Sequence, residues 1–118
     1  MIETHQKIRL ICESADEKKA EGIVIMDMKR RTALCDYFVV MSAPSAVRVR
    51  AIVDAIDEKL KKSGHRAFHK EGYAECLWVL LDCGDVVAHV FYHEMRTFYN
   101  LENLWGDAPK RHYHGSSK

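Results

Sequence analysis

Trp78-Val79-Leu80-Leu81-Asp82-Cys83-Gly84-Asp85-Val86-Val87-Ala88-His89-Val90-Phe91 is the stretch that decides the fold. Leu77–Leu81 and Val86–Tyr92 are both apolar enough to be central strands, and Asp82-Cys83-Gly84-Asp85 between them is short and turn-forming. Asp caps its own backbone and Gly supplies positive φ, so the two runs are expected to pair as an antiparallel hairpin. Strand parity puts Trp78, Leu80 and Asp82 on one face, and Val87, His89 and Phe91 on one face of the neighbouring strand. One face of the hairpin can therefore carry both sets.

Upstream of the hairpin, Ser45 is placed to cap a helix whose apolar stripe is Val49, Ile52, Val53, Ile56 and Leu60. Its last turn is basic (Lys59, Lys61, Lys62) and Gly64 follows at the stop position. Ile8, Ile11, Cys12 and Ala15 recur at helical spacing and predict a first helix from Thr4 to about Lys18, with Gly22 marking its exit. The strand Ile23–Met28 comes next. After the basic turn Lys29–Arg31, Asp36–Ser42 is rich in β-branched and aromatic residues and is stopped by Pro44, which predicts a second, buried strand. Arg66–His69 reads as a short strand and Lys70–Glu75 as a loop. Downstream, Glu94–Trp105 reads as one or two helices with Phe98, Leu101 and Trp105 on one side and Leu104 beside them, ended by Gly106 and Pro109. The order αββαβββα, with a helical crossover, predicts an α/β fold: a single domain over residues 1–109 with a mixed sheet of about five strands flanked by helices. Residues 110–118 are expected to be a polar, flexible tail.

A length of 118 residues predicts one domain, and an apolar fraction of 47% with a charged fraction of 30% excludes collagen-like, disordered and disulfide-framework classes. The formal net charge is only +1, with ten basic and ten acidic side chains in residues 1–59 and eight and seven beyond. A protein that binds nucleic acid by wrapping phosphates needs a clear, clustered basic excess, so charge alone names no partner. The longest uninterrupted apolar run, Cys76–Leu81, is six residues, far below the roughly 20 of a membrane span. The first 14 residues read neither as a secretory signal nor as a transit peptide. Cys12, Cys35, Cys76 and Cys83 form no CxxC pair and are expected to be reduced, packed cysteines of a cytoplasmic protein.

Seven histidines raise the question of a metal. His65/His69 and His89/His93 have HxxxH spacing, but both pairs fall largely in extended segments, where i and i+4 lie about 13 Å apart and cannot share one ion. His93-Glu94 lacks the second histidine of HExxH, because position 97 is Thr97. His112 and His114 sit in the polar tail. Asp82 and Asp85 flank the turn, and paired carboxylates at a sheet end can hold Mg²⁺ for nucleotidyl transfer; the competing reading is that they make the turn. A nucleotidyltransferase also wants a Gly-Ser pair opening a helix and carboxylates two apart, whereas Ser63-Gly64 is reversed and the two aspartates are three apart. Trp78, Arg96, Tyr99 and Trp105 are residue types that dominate binding hot spots. For Trp105, on the apolar side of a terminal helix, core packing is the favoured reading; for Trp78 the two readings are even.

The quoted hairpin, followed by Arg96, Tyr99, Leu101-Glu102 and Leu104-Trp105-Gly106-Asp107-Ala108, resembles the signature of the ribosomal silencing factor (Iojap-like) family. Asp36-Tyr37-Phe38-Val39-Val40 with Ser42 and Ser45, and Glu71-Gly72, resemble its upstream pieces, so the likeness covers roughly residues 5–109. Ala88 stands where that family more often has Val. The resemblance implies a domain with the shape of a nucleotidyltransferase but without the catalytic set, hence a binding protein with no catalytic residues, no metal and no cofactor. It implies docking on the large ribosomal subunit against the ribosomal protein numbered fourteen in its series, a steric block of small-subunit joining, and repression of translation when nutrients are short, in a bacterial cytoplasm. The expected contact patch is Trp78, Leu80, Asp82, Asp85, His89, Arg96 and Tyr99. Trp78, Leu80 and Tyr99 would supply apolar area; Arg96 and the aspartates would supply charge-assisted hydrogen bonds; His89 would make a hydrogen bond in the hairpin. Peripheral rRNA contact through Lys110, Arg111 or the Lys29–Arg31 turn is compatible with this, as is a homodimer of the free protein. A Mg²⁺-dependent nucleotidyltransferase using Asp82 and Asp85 is the alternative.

Overall fold

A computed structural model describes residues 3–65, 67 and 69–114. The chain begins with helix α1 (Thr4–Glu17), continues into strands β1 (Glu21–Asp27) and β2 (Tyr37–Ala43), and enters helix α2 (Ala46–Lys62). The Ser45 side chain accepts the Arg48 amide at 3.1 Å, which satisfies one of the unpaired donors at the start of α2. A three-residue strand β3 (His69–Glu71) precedes the hairpin of β4 (Trp78–Asp82) and β5 (Val86–Tyr92). Two short helices, α3 (His93–Tyr99) and α4 (Leu101–Leu104), lead to a last strand, β6 (Lys110–His112).

The sheet has six strands in the order β3-β4-β5-β2-β1-β6. β2 and β5 run parallel at its centre, joined by the crossover through α2, and every other pairing is antiparallel. One face is covered by α1 and α2, whose apolar stripes meet Val39, Met41, Val79, Leu81, Ala88 and Val90 in the larger core. The other face holds a smaller cluster built on Val24, Met26, Val40 and Phe91, with Leu101 of α4 over one end. The sheet is therefore closed by long helices on one side, while two short ones reach only part of the other.

Three expectations are corrected. The residues after Pro109 do not start as a loose tail: Lys110–His112 pair with Val24–Met26 of β1 and make the sixth strand, and the Tyr113 amide donates to the Ile23 carbonyl at 2.9 Å. Tertiary pairing supplies what three polar residues lack in propensity. Second, the strand before the hairpin begins at His69 and takes in Lys70 and Glu71, which read as loop; Arg66 and Phe68 lie outside the described residues. Third, Phe98 and Leu104 do not join the apolar side of the terminal helices but are exposed.

Candidate functional site: an aromatic open sheet face

Hairpin register sets the site. Trp78 pairs with Phe91, Leu80 with His89 and Asp82 with Val87. Val79, Leu81, Ala88 and Val90 between them point into the helix-covered core, so these six side chains stand together on the opposite face, as parity requires. The Trp78 indole stacks on Phe91 with ring centroids 5.0 Å apart and meets Tyr99 of α3 at 4.6 Å. Its Nε1–H donates to His89 Nδ1 at 3.1 Å, and the His89 ring meets Phe38 edge-on at 4.4 Å.

That hydrogen bond determines the histidine's state. An indole nitrogen only donates, so His89 Nδ1 accepts and the neutral ring carries its proton on Nε2. Burial pushes the His89 pKa down from 6.5 to about 4, because an imidazolium here would lose its hydration without gaining a counter-charge. The Nε2 atom is itself buried and finds no hydrogen-bond partner among the described residues.

Around this base lie the exposed apolar side chains of the face: Phe98 at 75% and Tyr99 at 46% accessibility, in edge-on contact at 5.1 Å, with Leu104 and Leu77 exposed nearby in sequence. α3 begins directly where β5 ends, and Asn100 in a left-handed conformation (φ 49°) breaks it from α4. This sharp path carries Tyr99 onto Trp78. Phe98 and Leu104, which the periodicity placed on or beside the side of Leu101 and Trp105, are thus surface. The signal was there only as an ambiguity: a helix of seven residues is too short for its stripe to say which side is covered.

Two of the expected contact residues are spent inside the fold. The Arg96 guanidinium forms a bidentate pair with Glu102 at 3.1 and 3.0 Å, and Nη1 donates to the Ser42 hydroxyl and the Glu21 carbonyl. It ties α3 and α4 to β1 and β2, and Gly22 makes room for it: a Cβ there would lie 2.7 Å from Nη1. Asp85 is held from α1 by the buried Lys7 ammonium at 2.7 Å and by the Thr4 hydroxyl. Burial alone would raise its carboxyl, but these hydrogen bonds and the Lys7 charge hold it below the usual carboxylate range. Asp82 accepts the Gly84 amide at 2.9 Å, with Gly84 at φ 90°; the aspartates make the turn. Among the described residues no group of three or more His, Cys, Asp or Glu side chains is placed to hold a metal ion.

The four cysteines are free and buried. Burial pushes the Cys12 and Cys83 thiols up to about 12 and Cys35 to about 11, which removes the thiolate needed for nucleophilic chemistry. No helix of the described residues is long and apolar enough to cross a membrane.

These features define a single-domain α/β protein with a mixed sheet, one face closed by helices and the other presenting aromatic side chains. Comparison with known proteins gives the class its family. The family described as "Ribosomal silencing factor during starvation" matches residues 1–118. The ribosomal silencing factor of Bacillus subtilis (strain 168) is 40% identical over 102 residues, 86% of each chain. That of Halalkalibacterium halodurans is 38% identical over 108 residues, 92% of each. A crystal structure of a Chromobacterium violaceum protein superposes with a TM-score of 0.87 at 31% identity, covering 99% of this chain and 98% of that one. The chain belongs to the ribosomal silencing factor family.

Proposed function

We propose that this protein represses translation by binding rather than by catalysis. It docks through the aromatic open face on the large ribosomal subunit, against the ribosomal protein numbered fourteen, and sterically blocks joining of the small subunit when nutrients are short, in the cytoplasm of a bacterium. The observation that supports the reading is the face itself. Aromatic side chains half-exposed over a rigid sheet are the composition of interface hot spots, and the family's members are named for silencing ribosomes. Trp78, Leu80, Tyr99 and Phe98 supply apolar area, Asp82 lies at the edge of the same face, and His89 holds the Trp78 ring in place from beneath. Arg96 and Asp85 act indirectly, by fixing α3, α4 and the hairpin. In the free protein the same face is available to a second copy, and sedimentation reads that directly.

The test is joining of purified large and small subunits at low-millimolar Mg²⁺, resolved on a sucrose gradient with and without the protein. The reading requires the joined peak to fall and the protein to travel with the large subunit. A protein that stays at the top of the gradient, with joining unaffected, refutes it.

A further inference from the structure

On the other, helix-bearing side of the sheet lies a groove of about 200 Å³ lined by His5, Ile25, Asp27, Tyr37, Pro109, Lys110 and Arg111. We propose that this groove binds one unstacked nucleotide of a single-stranded nucleic acid, its base against His5 and Tyr37 and its phosphates on Arg111 and Arg30.

The residues come together only through pairing. Asp27 lies opposite Tyr37 across β1 and β2, and Arg111 lies opposite Ile25 across β1 and β6, which places all four on one face. His5, in the first turn of α1, brings its ring to 5.8 Å from the Tyr37 ring. Two basic stretches some eighty positions apart in the chain thus meet at one corner, around two aromatic rings. The volume is below the about 300–1,000 Å³ of a site for a drug-sized ligand, and suits one flat heterocycle.

The cations divide by what they already touch. The Lys110 ammonium is committed to the carbonyls of Trp105, Gly106 and Ala108, and Arg31 reaches the Asp107 carbonyl at 2.8 Å. Arg30 and Arg111 are exposed and have no ion pair among the described residues. Lys29 sits over the Tyr37 ring at 4.8 Å, donates to its hydroxyl and pairs with Asp27 at 3.9 Å, so it is spent on holding the ring. The Asp27 carboxylate accepts the Lys29 amide at 3.0 Å and lies 3.9 Å from its ammonium, so it holds the turn rather than a ligand. Aromatic platforms beside free basic groups are the working parts of single-strand binding sites, whereas a duplex buries its base faces. The groove lies across the sheet from Trp78, so this inference stands apart from the docking reading and either can fail alone.

The experiment is a fluorescence-anisotropy titration of labelled single-stranded RNA and DNA oligonucleotides of one sequence, and of the corresponding duplex, with the full chain at several salt concentrations. The expected result is binding of the single strand, RNA alone or both, with log K falling against log salt by about 0.7 per phosphate contacted. Tyr37→Leu is expected to weaken it at least about fivefold, the effect of losing one stacked base. Arg111→Gln is expected to flatten the salt slope by about 0.7. Should Tyr37→Leu fail to fold, His5→Ala on the exposed first turn of α1 takes its place. Absence of binding at low salt overturns the proposal. So does equal binding of duplex and single strand that neither ring substitution weakens, which would be charge attraction alone. Co-sedimentation of Phe98→Ala and of Arg111→Gln with large subunits, run in parallel, separates the aromatic face from the groove.

Discussion

Lowering the pH is expected to destabilise this protein through His89. The ring is held neutral beneath Trp78, with a pKa pushed down by burial from 6.5 to about 4, while in the unfolded chain it titrates near 6.5. Between those values the unfolded state binds the extra proton, so stability is fully present above about pH 6.5 and is lost as pH falls toward 4. At about 1.36 kcal/mol per pH unit, the loss is about 2 kcal/mol between pH 7 and 5 and approaches about 3 kcal/mol near pH 4. Protonation also places a proton on the nitrogen that accepts the Trp78 indole N–H, so the aromatic face loosens as the fold weakens. The assay is guanidinium denaturation of wild type and His89→Gln at a series of pH values, followed by tryptophan fluorescence. Other carboxylates titrate in both proteins and cancel in the difference; Gln at position 89 carries no charge at any pH. The difference between the two must shrink by about 2 kcal/mol from pH 7 to 5. A difference that stays flat across this range shows a normally titrating imidazole and refutes the buried, neutral assignment.

Phe98→Ala removes a ring that is 75% exposed, so stability should change by no more than about 0.5 kcal/mol while large-subunit binding in the gradient assay weakens about thirtyfold, the loss of about 2 kcal/mol that marks a hot spot. Arg96→Ala should destabilise by about 2–3 kcal/mol, because it leaves the part-buried Glu102 carboxylate unpaired; Arg96→Lys should recover little, since an ammonium cannot make the bidentate pair. Gly22→Ala, at φ 58° and with its Cβ driven against Arg96, should lower the midpoint of denaturation, corresponding to a loss of more than about 1 kcal/mol of stability. An unchanged midpoint there would show that Arg96 can move aside and that the tie between α3 and β1 is slack.

How much was legible in the sequence divides by the range of the interaction. Helix α2 is announced by its Ser45 cap and its apolar stripe, and the β4–β5 hairpin by Asp82 and Gly84, all within a few residues of one another. The shared face of Trp78, Leu80, Asp82, Val87, His89 and Phe91 follows from parity once the hairpin is granted, and their buried alternates confirm it. These readings hold because periodicity and turn chemistry are local, and the sheet had no competing solution for such apolar strands.

What only the tertiary structure decided is where long side chains and weak segments go. Arg96 reads as an exposed anchor until Ser42 and the Glu21 carbonyl come to it from strands 54 and 75 positions away. Asp85 reads as a free carboxylate until Lys7 reaches it from 78 positions away. Lys110–His112 has no strand propensity of its own and becomes β6 because β1 offers it an unpaired edge. Phe98 has the same local pattern as a core residue and is exposed because none of the described elements covers that side of a seven-residue helix. Periodicity states which residues share a face; whether another element covers that face is a property of the whole packed chain, and it is there that this protein's surfaces are made.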